Sequence, residues 1–188
     1  MIIDILEQEN LRDYIEYKTF DSGELIVFEA GFYWLLQQGI VKSCTWTEEG
    51  TPITLGYWST NDLIGQPLSL VYPYHVICLT EVKAGRISIK QAGKITSLIQ
   101  HHIQQTEEVL YILRYEKAYQ RLRQILLWLG QKFGQEVELG RLIELRLTHQ
   151  DLAELIGTTR VTVTKLINQL EQEKFLSRPQ RNTIMILK

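Results

Sequence analysis

The sequence predicts an α+β protein, with strands in the first half of the chain and mostly helices in the second half. Short apolar runs separated by turn residues recur between residues 20 and 90, which is typical of a β-sandwich or barrel. From Lys94 onward the apolar residues recur at intervals of three and four, the period of an amphipathic helix. The chain has 188 residues, 45% of them hydrophobic, so it is long enough for one large domain or two modest ones.

The predicted β region consists of five apolar runs, each bounded by Gly, Asp, Asn or Ser. They are ELIVFEA, FYWLLQQGIVKSCTW, TPITLGYW, HVICLTEV and GRISI. Trp34, Trp46 and Trp58 lie in or beside these runs, and we expect them to pack in the core or at its edge rather than to form a ligand cage. Cys44 and Cys78 lack a CxxC spacing, which favours two small core residues over a redox pair.

Composition argues against a membrane protein or a secreted one. No apolar run approaches the roughly 20 residues that are needed to cross a bilayer, so we expect no membrane partner. The N-terminal MIIDILEQEN is acidic and lacks the basic segment of a secretory signal. Two cysteines in the whole chain fit a reducing compartment, and these observations together predict a cytoplasmic protein.

The net charge of −2 is unevenly distributed along the chain. Residues 1–119 carry 9 Lys and Arg against 15 Asp and Glu, a net charge of −6. Residues 120–188 carry 11 against 7, a net charge of +4. A basic final third is compatible with a polyanionic partner and also with a plain solvated face.

The helical stretch from Lys94 to Leu129 contains no Pro or Gly, so it is one long helix or two with a break near 117–120. Its narrow apolar seam with polar flanks suits a two-helix contact and predicts a homodimer interface. The alternative is that the same face packs on the protein's own β domain. The predicted seam residues are Ile95, Leu98, Ile99, His102, Thr106, Val109 and Leu113. No metal site is expected at His101 and His102, because adjacent residues face different sides of a helix.

Three segments follow this stretch. RLRQILLWLGQKFG (121–134) is amphipathic and ends at a glycine, and RLIELRL (141–147) alternates like a strand. THQDLAELIG (148–157) begins with Thr148 as N-cap and Asp151 three residues later, close to a capping box, and ends at Gly157.

The run TTRVTVTKL looks like a strand, because β-branched and polar residues alternate in it. The longer segment contradicts that interpretation, since Val163, Leu166, Ile167 and Leu170 fall at i, i+3, i+4 and i+7. We therefore predict a helix that begins near 159, with Thr158 or Thr159 as N-cap. Its outward face carries Val161, Lys165 and Asn168.

Two helices joined at a glycine, the second exposing Thr, Val and cations, predict a helix-turn-helix that inserts its second helix into the major groove of double-stranded DNA. Arg and Lys can bind guanine edges, Val can contact a thymine methyl, and threonine hydroxyls and helix N-terminal amides suit phosphates. FLSRPQRNTIMIL adds a hairpin, which would be a wing with arginines near its tip. The candidate DNA-binding residues are Thr148, His149, Gln150, Thr158, Thr159, Arg160, Val161, Thr162, Thr164, Lys165, Arg178 and Arg181. The alternative is an effector-sensing protein whose C-terminal domain makes protein–protein contacts.

No enzymatic activity is expected. The sequence contains no HExxH, GxSxG or Walker pattern, and its four histidines lack metal-ligand spacing, so no metal is expected either.

The segment LTHQDLAELIGTTRVTVTKLINQLEQEKFLS resembles the DNA-reading motif of the CRP/FNR family of bacterial transcription regulators, and its TRVTVT run is shared with the family's cyanobacterial nitrogen regulators. FDSGELIVFEAG and NDLIGQPLSL are similar to the family's β-roll. The resemblance implies a cyclic-nucleotide-binding-like β-roll (1–93), a long dimerisation helix (94–119) and a winged helix-turn-helix (120–188). It further implies a homodimer on a palindromic promoter site with GTA and TAC half-sites, base contacts from Arg160, Val161 and Lys165, and RNA polymerase as a partner.

The sequence departs from the family at the cyclic-nucleotide pocket. The family's Gly-Glu-Leu run is replaced by Gly65-Gln66-Pro67, and residues 66–82 contain no Arg or Lys to clamp a phosphate. The family's 2-oxoglutarate-binding members also use arginines in this region. We therefore expect neither cyclic AMP nor 2-oxoglutarate as a cofactor.

Overall fold

The computed structural model describes residues 15–180 and 182–188. Their contacts divide the chain into two compact units, residues 1–106 and residues 107–188. The division at 1–93, 94–119 and 120–188 is a different one, based on the role expected of each segment, and it stays a prediction.

The first unit is a roll of two antiparallel sheets. One sheet has the strand order β1-β7-β2-β5 and the other β4-β3-β6. The strands are β1 (Glu16–Phe20), β2 (Phe32–Gln38), β3 (Val41–Trp46), β4 (Pro52–Trp58), β5 (Leu63–Ile64), β6 (His75–Cys78) and β7 (Val82–Ser88). Two short 3-10 helices complete the unit, η1 (Gln66–Leu68) and η2 (Ile89–Ile95). The predicted β-rich N-terminal domain is therefore confirmed.

The turn between β2 and β3 requires glycine. Gly39 has φ of 93°, in the left-handed region that other residues rarely adopt. A Cβ at this position would lie 2.2 Å from the carbonyl oxygen of Glu81, so the backbone of a neighbouring segment leaves no room for a side chain.

The run ELIVFEA (24–30) was expected to be a strand, and this expectation is wrong. The segment lies along the edge of β6, where Ile26 N–H donates to the Val76 carbonyl at 2.9 Å, but only Leu25 forms a bridge, to Ile77. Its alternation reflects the inward side chains of the buried Ile26 and the half-buried Phe28, next to the exposed Leu25 and Val27.

Aromatic side chains fill the centre of the roll. Trp34 and Trp58 are buried in one core cluster with Phe20, against which Phe28 and Tyr74 pack, as expected for core tryptophans. The third tryptophan, Trp46, is partly exposed and packs edge-on against His75. Cys44 and Cys78 are buried free thiols, in agreement with their predicted role as core residues.

Two helices follow, α1 (Thr96–Leu113) and α2 (Ala118–Phe133), so the second of the two helical alternatives is confirmed. The break lies at residues 114–117, slightly before the expected position. None of the helices in the described part of the chain is long and apolar enough to cross a membrane.

One face of α1 packs on the protein's own roll. Ile95, just before the helix, and Leu98 are buried in a second roll core with Leu63 and Ile87. His102 stacks on Trp58 with ring centroids 4.4 Å apart, and its Nδ1 lies 3.0 Å from the Leu63 carbonyl oxygen.

The predicted dimer seam is therefore divided. Ile95, Leu98 and Val109 are buried within the chain, and His102 is half-buried against Trp58, so these four are corrected to intramolecular contacts. Thr106 is exposed, and Ile99 and Leu113 are half-buried.

The second unit carries α2, a four-stranded sheet of order β10-β11-β9-β8, and two further helices. The remaining elements are β8 (Gly134–Val137), β9 (Gly140–Ile143), α3 (His149–Ile156), α4 (Arg160–Gln172), β10 (Leu176–Ser177) and β11 (Ile184–Leu187). The strand-like run 141–147 becomes a strand only as far as Ile143. The predicted helix-turn-helix and the hairpin after it are both present.

Candidate nucleic-acid interface

Local side-chain contacts fix the beginning of α3. The Thr148 hydroxyl accepts a hydrogen bond from the Asp151 N–H at 3.1 Å, and the Asp151 carboxylate accepts from the Thr148 N–H at 2.9 Å. This is the predicted capping box, and it satisfies two backbone donors that have no partner inside the helix.

The turn between the two helices depends on a glycine. Gly157 has φ of 65° and ψ of 55°, the left-handed conformation that ends many helices. The Thr158 N–H then donates to the Ala153 carbonyl at 3.0 Å. The chain therefore leaves α3 and enters α4 within three residues.

The run TTRVTVTKL forms a helix, so the strand interpretation is wrong. Thr159 is the N-cap of α4, because its hydroxyl accepts from the Thr162 N–H at 3.1 Å. Val163, Ile167 and Leu170 form the buried stripe, as their spacing predicts. On the opposite face Val161 is 65% exposed. Arg160, Lys165 and Asn168 are exposed as well.

His149 joins α3 to α4. Its Nδ1 lies 2.8 Å from the Thr164 hydroxyl oxygen. That hydroxyl donates its single hydrogen to the Arg160 carbonyl at 2.9 Å, so the proton between the two side chains belongs to His149 Nδ1. Nε2 is then the nitrogen that remains available for other partners.

Burial lowers the pKa of His149 below its ordinary value of 6.5, and the positive charges of Arg178 and Arg160 lower this pKa further. The side chain is therefore predominantly neutral at pH 7. A cleft of about 410 Å³ opens beside it, lined by Thr148, His149, Gln150, Arg160 and Asn182.

Arg178 follows β10 and contacts α4. Its Nη2 donates to Asn168 Oδ1 at 3.0 Å and forms a short ion pair with the Glu171 carboxylate. The hydrogen bond from Arg178 lowers the pKa of Glu171, so this carboxylate stays ionised. Arg178, His149 and Asn182 also line a second cleft of about 380 Å³.

The same C-terminal region matches the Crp-like helix-turn-helix domain family over residues 120–188. The regulatory protein CysR of Synechococcus elongatus is 42% identical over 159 residues, which cover 83% of this chain and 77% of CysR. The chain belongs to the CRP/FNR family of transcription regulators. The global nitrogen regulator of the same organism is 31% identical over 183 residues, covering 87% of this chain and 82% of that one.

Solved structures support the fold across both units. A CRP/FNR-family transcriptional regulator from Thermus thermophilus superposes with a TM-score of 0.75 at 22% identity, covering 92% of this chain and 94% of that one. A cyclic nucleotide-binding domain containing protein from Listeria monocytogenes superposes with a TM-score of 0.80 at 15% identity, covering 98% of this chain and 95% of that one. The chain thus has the family's β-roll, long helix and winged helix-turn-helix, and it is a DNA-binding transcription regulator.

The structure brings most of the candidate DNA-binding residues of this CRP/FNR protein onto α3, the turn and α4. Thr162 and Thr164 are half-buried, because their hydroxyls bind Thr159 and the Arg160 carbonyl. The Gln150 side chain donates to Glu154 at 3.1 Å. Arg181 lies outside the described residues.

Sequence reasoning missed three contacts at this surface. It gave no role to Asn168 or Glu171, both of which bind Arg178, and it did not pair His149 with Thr164. A signal existed for Glu171, since an acidic residue near a predicted DNA-reading helix needs a positive partner. Arg178, which was expected on the DNA backbone, binds Asn168 and Glu171 in its own domain, and its contact with DNA stays a prediction.

In the roll, the segment that departs from the family pattern contains η1, and Gly65 precedes it. Tyr74, in the region where the family's clamp falls, packs against the aromatic core. Burial raises the pKa of Tyr74 to about 12, so its hydroxyl stays neutral. The indole N–H of Trp58 donates to the Ser43 hydroxyl at 2.8 Å. No group of His, Cys, Asp and Glu in residues 15–180 and 182–188 could hold a metal ion.

Proposed function

We propose that this regulator binds a palindromic promoter site as a homodimer and reads each half-site with the outward face of α4. The observation that carries the proposal is the exposure of Arg160, Val161 and Lys165 on the helix that follows the αL turn. A helix placed in this way enters the major groove with its N-terminal residues next to base edges.

Each of these side chains has a suitable base partner. Arg160 and Lys165 can donate to guanine O6 and N7, and the methyl groups of Val161 can contact a thymine methyl. The resemblance to the family's nitrogen regulators predicts GTA and TAC half-sites, which contain such bases. The amide groups at the beginning of α3 and the cleft beside His149 suit a phosphate of the same half-site.

The dimer contact is supported by a stripe on α1 whose large apolar side chains are exposed. Ile103 and Leu110 are each 58% exposed. Together with Ile99, Thr106 and Leu113 they follow the alternating spacing of four and three residues that is found in coiled coils. The proposed interface is therefore this exposed stripe, and Ile95, Leu98, His102 and Val109 pack inside the protomer.

The protein would act in the cytoplasm on bacterial promoters and contact RNA polymerase there. DNA binding would need neither cyclic AMP nor 2-oxoglutarate, since the segment 66–82 supplies no cation to either anion.

The test is fluorescence anisotropy of the full chain on a GTA/TAC palindrome and its single-base variants at several salt concentrations. Arg160→Ala should cost roughly 1–3 kcal/mol per half-site and flatten the preference at one base pair. Arg181→Ala should lower the affinity for all DNA sequences alike and reduce the slope of log affinity against log salt concentration by about one. Arg114→Ala, which removes one exposed cation outside the helix-turn-helix, is the control for charge alone.

If Arg160→Ala weakens every sequence equally, the residue is a phosphate contact and the docking of α4 is wrong. If the wild-type protein shows no preference among DNA sequences at low salt, the C-terminal domain serves protein–protein contacts instead.

A further inference from the structure

The hydrogen bond between Arg178 and Asn168 fixes which end of the Asn168 amide points to the wing. A guanidinium carries five N–H donors and no acceptor, so only the oxygen of Asn168 can face it. The distance of 3.0 Å from Arg178 Nη2 to Asn168 Oδ1 agrees with this geometry. The NH₂ group of Asn168 must then point away from Arg178.

Asn168 lies on the base-reading face of α4. It is exposed and comes seven residues after Val161 and three after Lys165, so helical geometry places all three on one side. The side chain is therefore the next along this face, and it presents two donors to whatever the face contacts.

We propose that Asn168 reads a base as a donor-only side chain, and that Arg178 is the positioning residue that holds it in this orientation. The proposal rests on the sequence-specific DNA binding proposed above. A free Asn prefers adenine, because it accepts from N6 and donates to N7. Because the bond to Arg178 turns the oxygen of Asn168 toward the wing, the side chain offers only its NH₂ group to the bases, and guanine with two acceptors at N7 and O6 becomes the matching base.

Glu171 explains why Arg178 remains on α4 instead of moving to a phosphate. The same Nη2 is paired with the Glu171 carboxylate, and the lowered pKa of that carboxyl keeps it charged. A DNA phosphate would have to displace a charged partner that is already in place. The pair thus holds the guanidinium against Asn168 and compensates an acidic group on the DNA-facing helix.

The test is selection from DNA in which the base pairs beside each half-site core are randomised, followed by anisotropy on single-base variants. Asn168→Ala should lose a guanine preference of at least about fivefold at one position, the lower end for a good bidentate contact. Arg178→Ala frees Oδ1 and should move the preference at that position from guanine to adenine. Glu171→Gln is the matched control, because it keeps an acceptor for Arg178 and should keep the guanine preference.

Three outcomes would overturn the proposal. They are an unchanged preference in Asn168→Ala, a uniform loss of affinity with unchanged preference in Arg178→Ala, and a preference in Glu171→Gln that matches that of Arg178→Ala. Circular dichroism and the melting temperature of each variant exclude loss of folding, and Arg178→Lys, which keeps donors only, should rescue guanine. Single-base variants of the half-site core are included in the same anisotropy measurements, so failure of the proposed DNA recognition by Arg160 would be seen separately.

Discussion

Replacing Gly157 by alanine should destabilise the helix-turn-helix by about 1 kcal/mol without any steric clash. The residue has φ of 65° and ψ of 55°, a region that costs an L-residue with a side chain about 1–2 kcal/mol. An added Cβ would meet nothing within 4 Å, so no packing term is added. The lower freedom of alanine in the unfolded chain offsets about 0.4–1 kcal/mol. In a unit of this size the net loss corresponds to a fall in melting temperature of about 4–8 °C.

The assay is thermal unfolding of the full chain with and without operator DNA, since the transition that DNA shifts upward is that of the DNA-binding unit. Gly157→Asn should lose less stability than Gly157→Ala, because asparagine tolerates the left-handed region better than alanine does. Gly93→Ala is the control: its Cβ would also meet nothing within 4 Å and its φ is not positive, so it should be neutral or slightly stabilising. If Gly157→Ala has the same melting temperature as the wild type, the turn does not require a left-handed residue, and the geometry assigned to the two helices is wrong.

Two further predictions concern the dimer and the histidine of the interface. The double variant Ile103→Glu, Leu110→Glu should be monomeric by light scattering, because unpaired charges buried in the dimer interface cost about 3–5 kcal/mol. The control variant Gln104→Glu should remain dimeric, because Gln104 is exposed and lies outside the stripe. A double variant that stays dimeric would contradict this placement. The pKa of His149 is lower in the folded protein than in the unfolded chain, so the unfolded chain binds the proton more readily. The free energy of unfolding should therefore keep its full value above about pH 6.5 and decrease as the pH falls through the lower pKa of the folded state. His149→Gln should melt with a smaller pH dependence between pH 7.5 and 5, and an unchanged dependence would show that another group causes it.

The helix-turn-helix could be predicted in detail because its signals are local. Thr148 and Asp151 cap a helix within one turn, and Gly157 ends it at once. The stripe at Val163, Ile167 and Leu170 outweighs the strand propensity of TRVTVT, because burial of a continuous face contributes more than the small intrinsic preferences of single residues.

The dimer seam could not be chosen in the same way, because α1 carries two apolar stripes. Leu98 and Val109 belong to one, and Ile103 and Leu110 to the other. Whether the roll covers Leu98 and His102 depends on the position of side chains such as Leu63 and Trp58, which are far away in sequence. The spacing of the second stripe was visible in the sequence, but nothing local shows that the first stripe is already occupied. The contact between Arg178 and Asn168 was hidden for the same reason, since two elements must fold together before it exists.

The contacts between the roll and the start of α1 limit how a small molecule could act on this protein. His102 stacks on Trp58, whose indole N–H is held by Ser43, and Gln105 donates to the buried Asp62 at 2.6 Å. A ligand shifts an equilibrium only as far as its affinities for two states differ. A ligand that entered the aromatic core would have to displace Trp58, and His102 would lose its stacking partner. The indole N–H of Trp58 would also lose its acceptor, Ser43, which costs about 1–3 kcal/mol if this donor stays buried without a partner. An effector that binds elsewhere on the roll avoids this cost, but it must then alter the Trp58–His102 stack or the Asp62–Gln105 hydrogen bond to reach α1 from this unit.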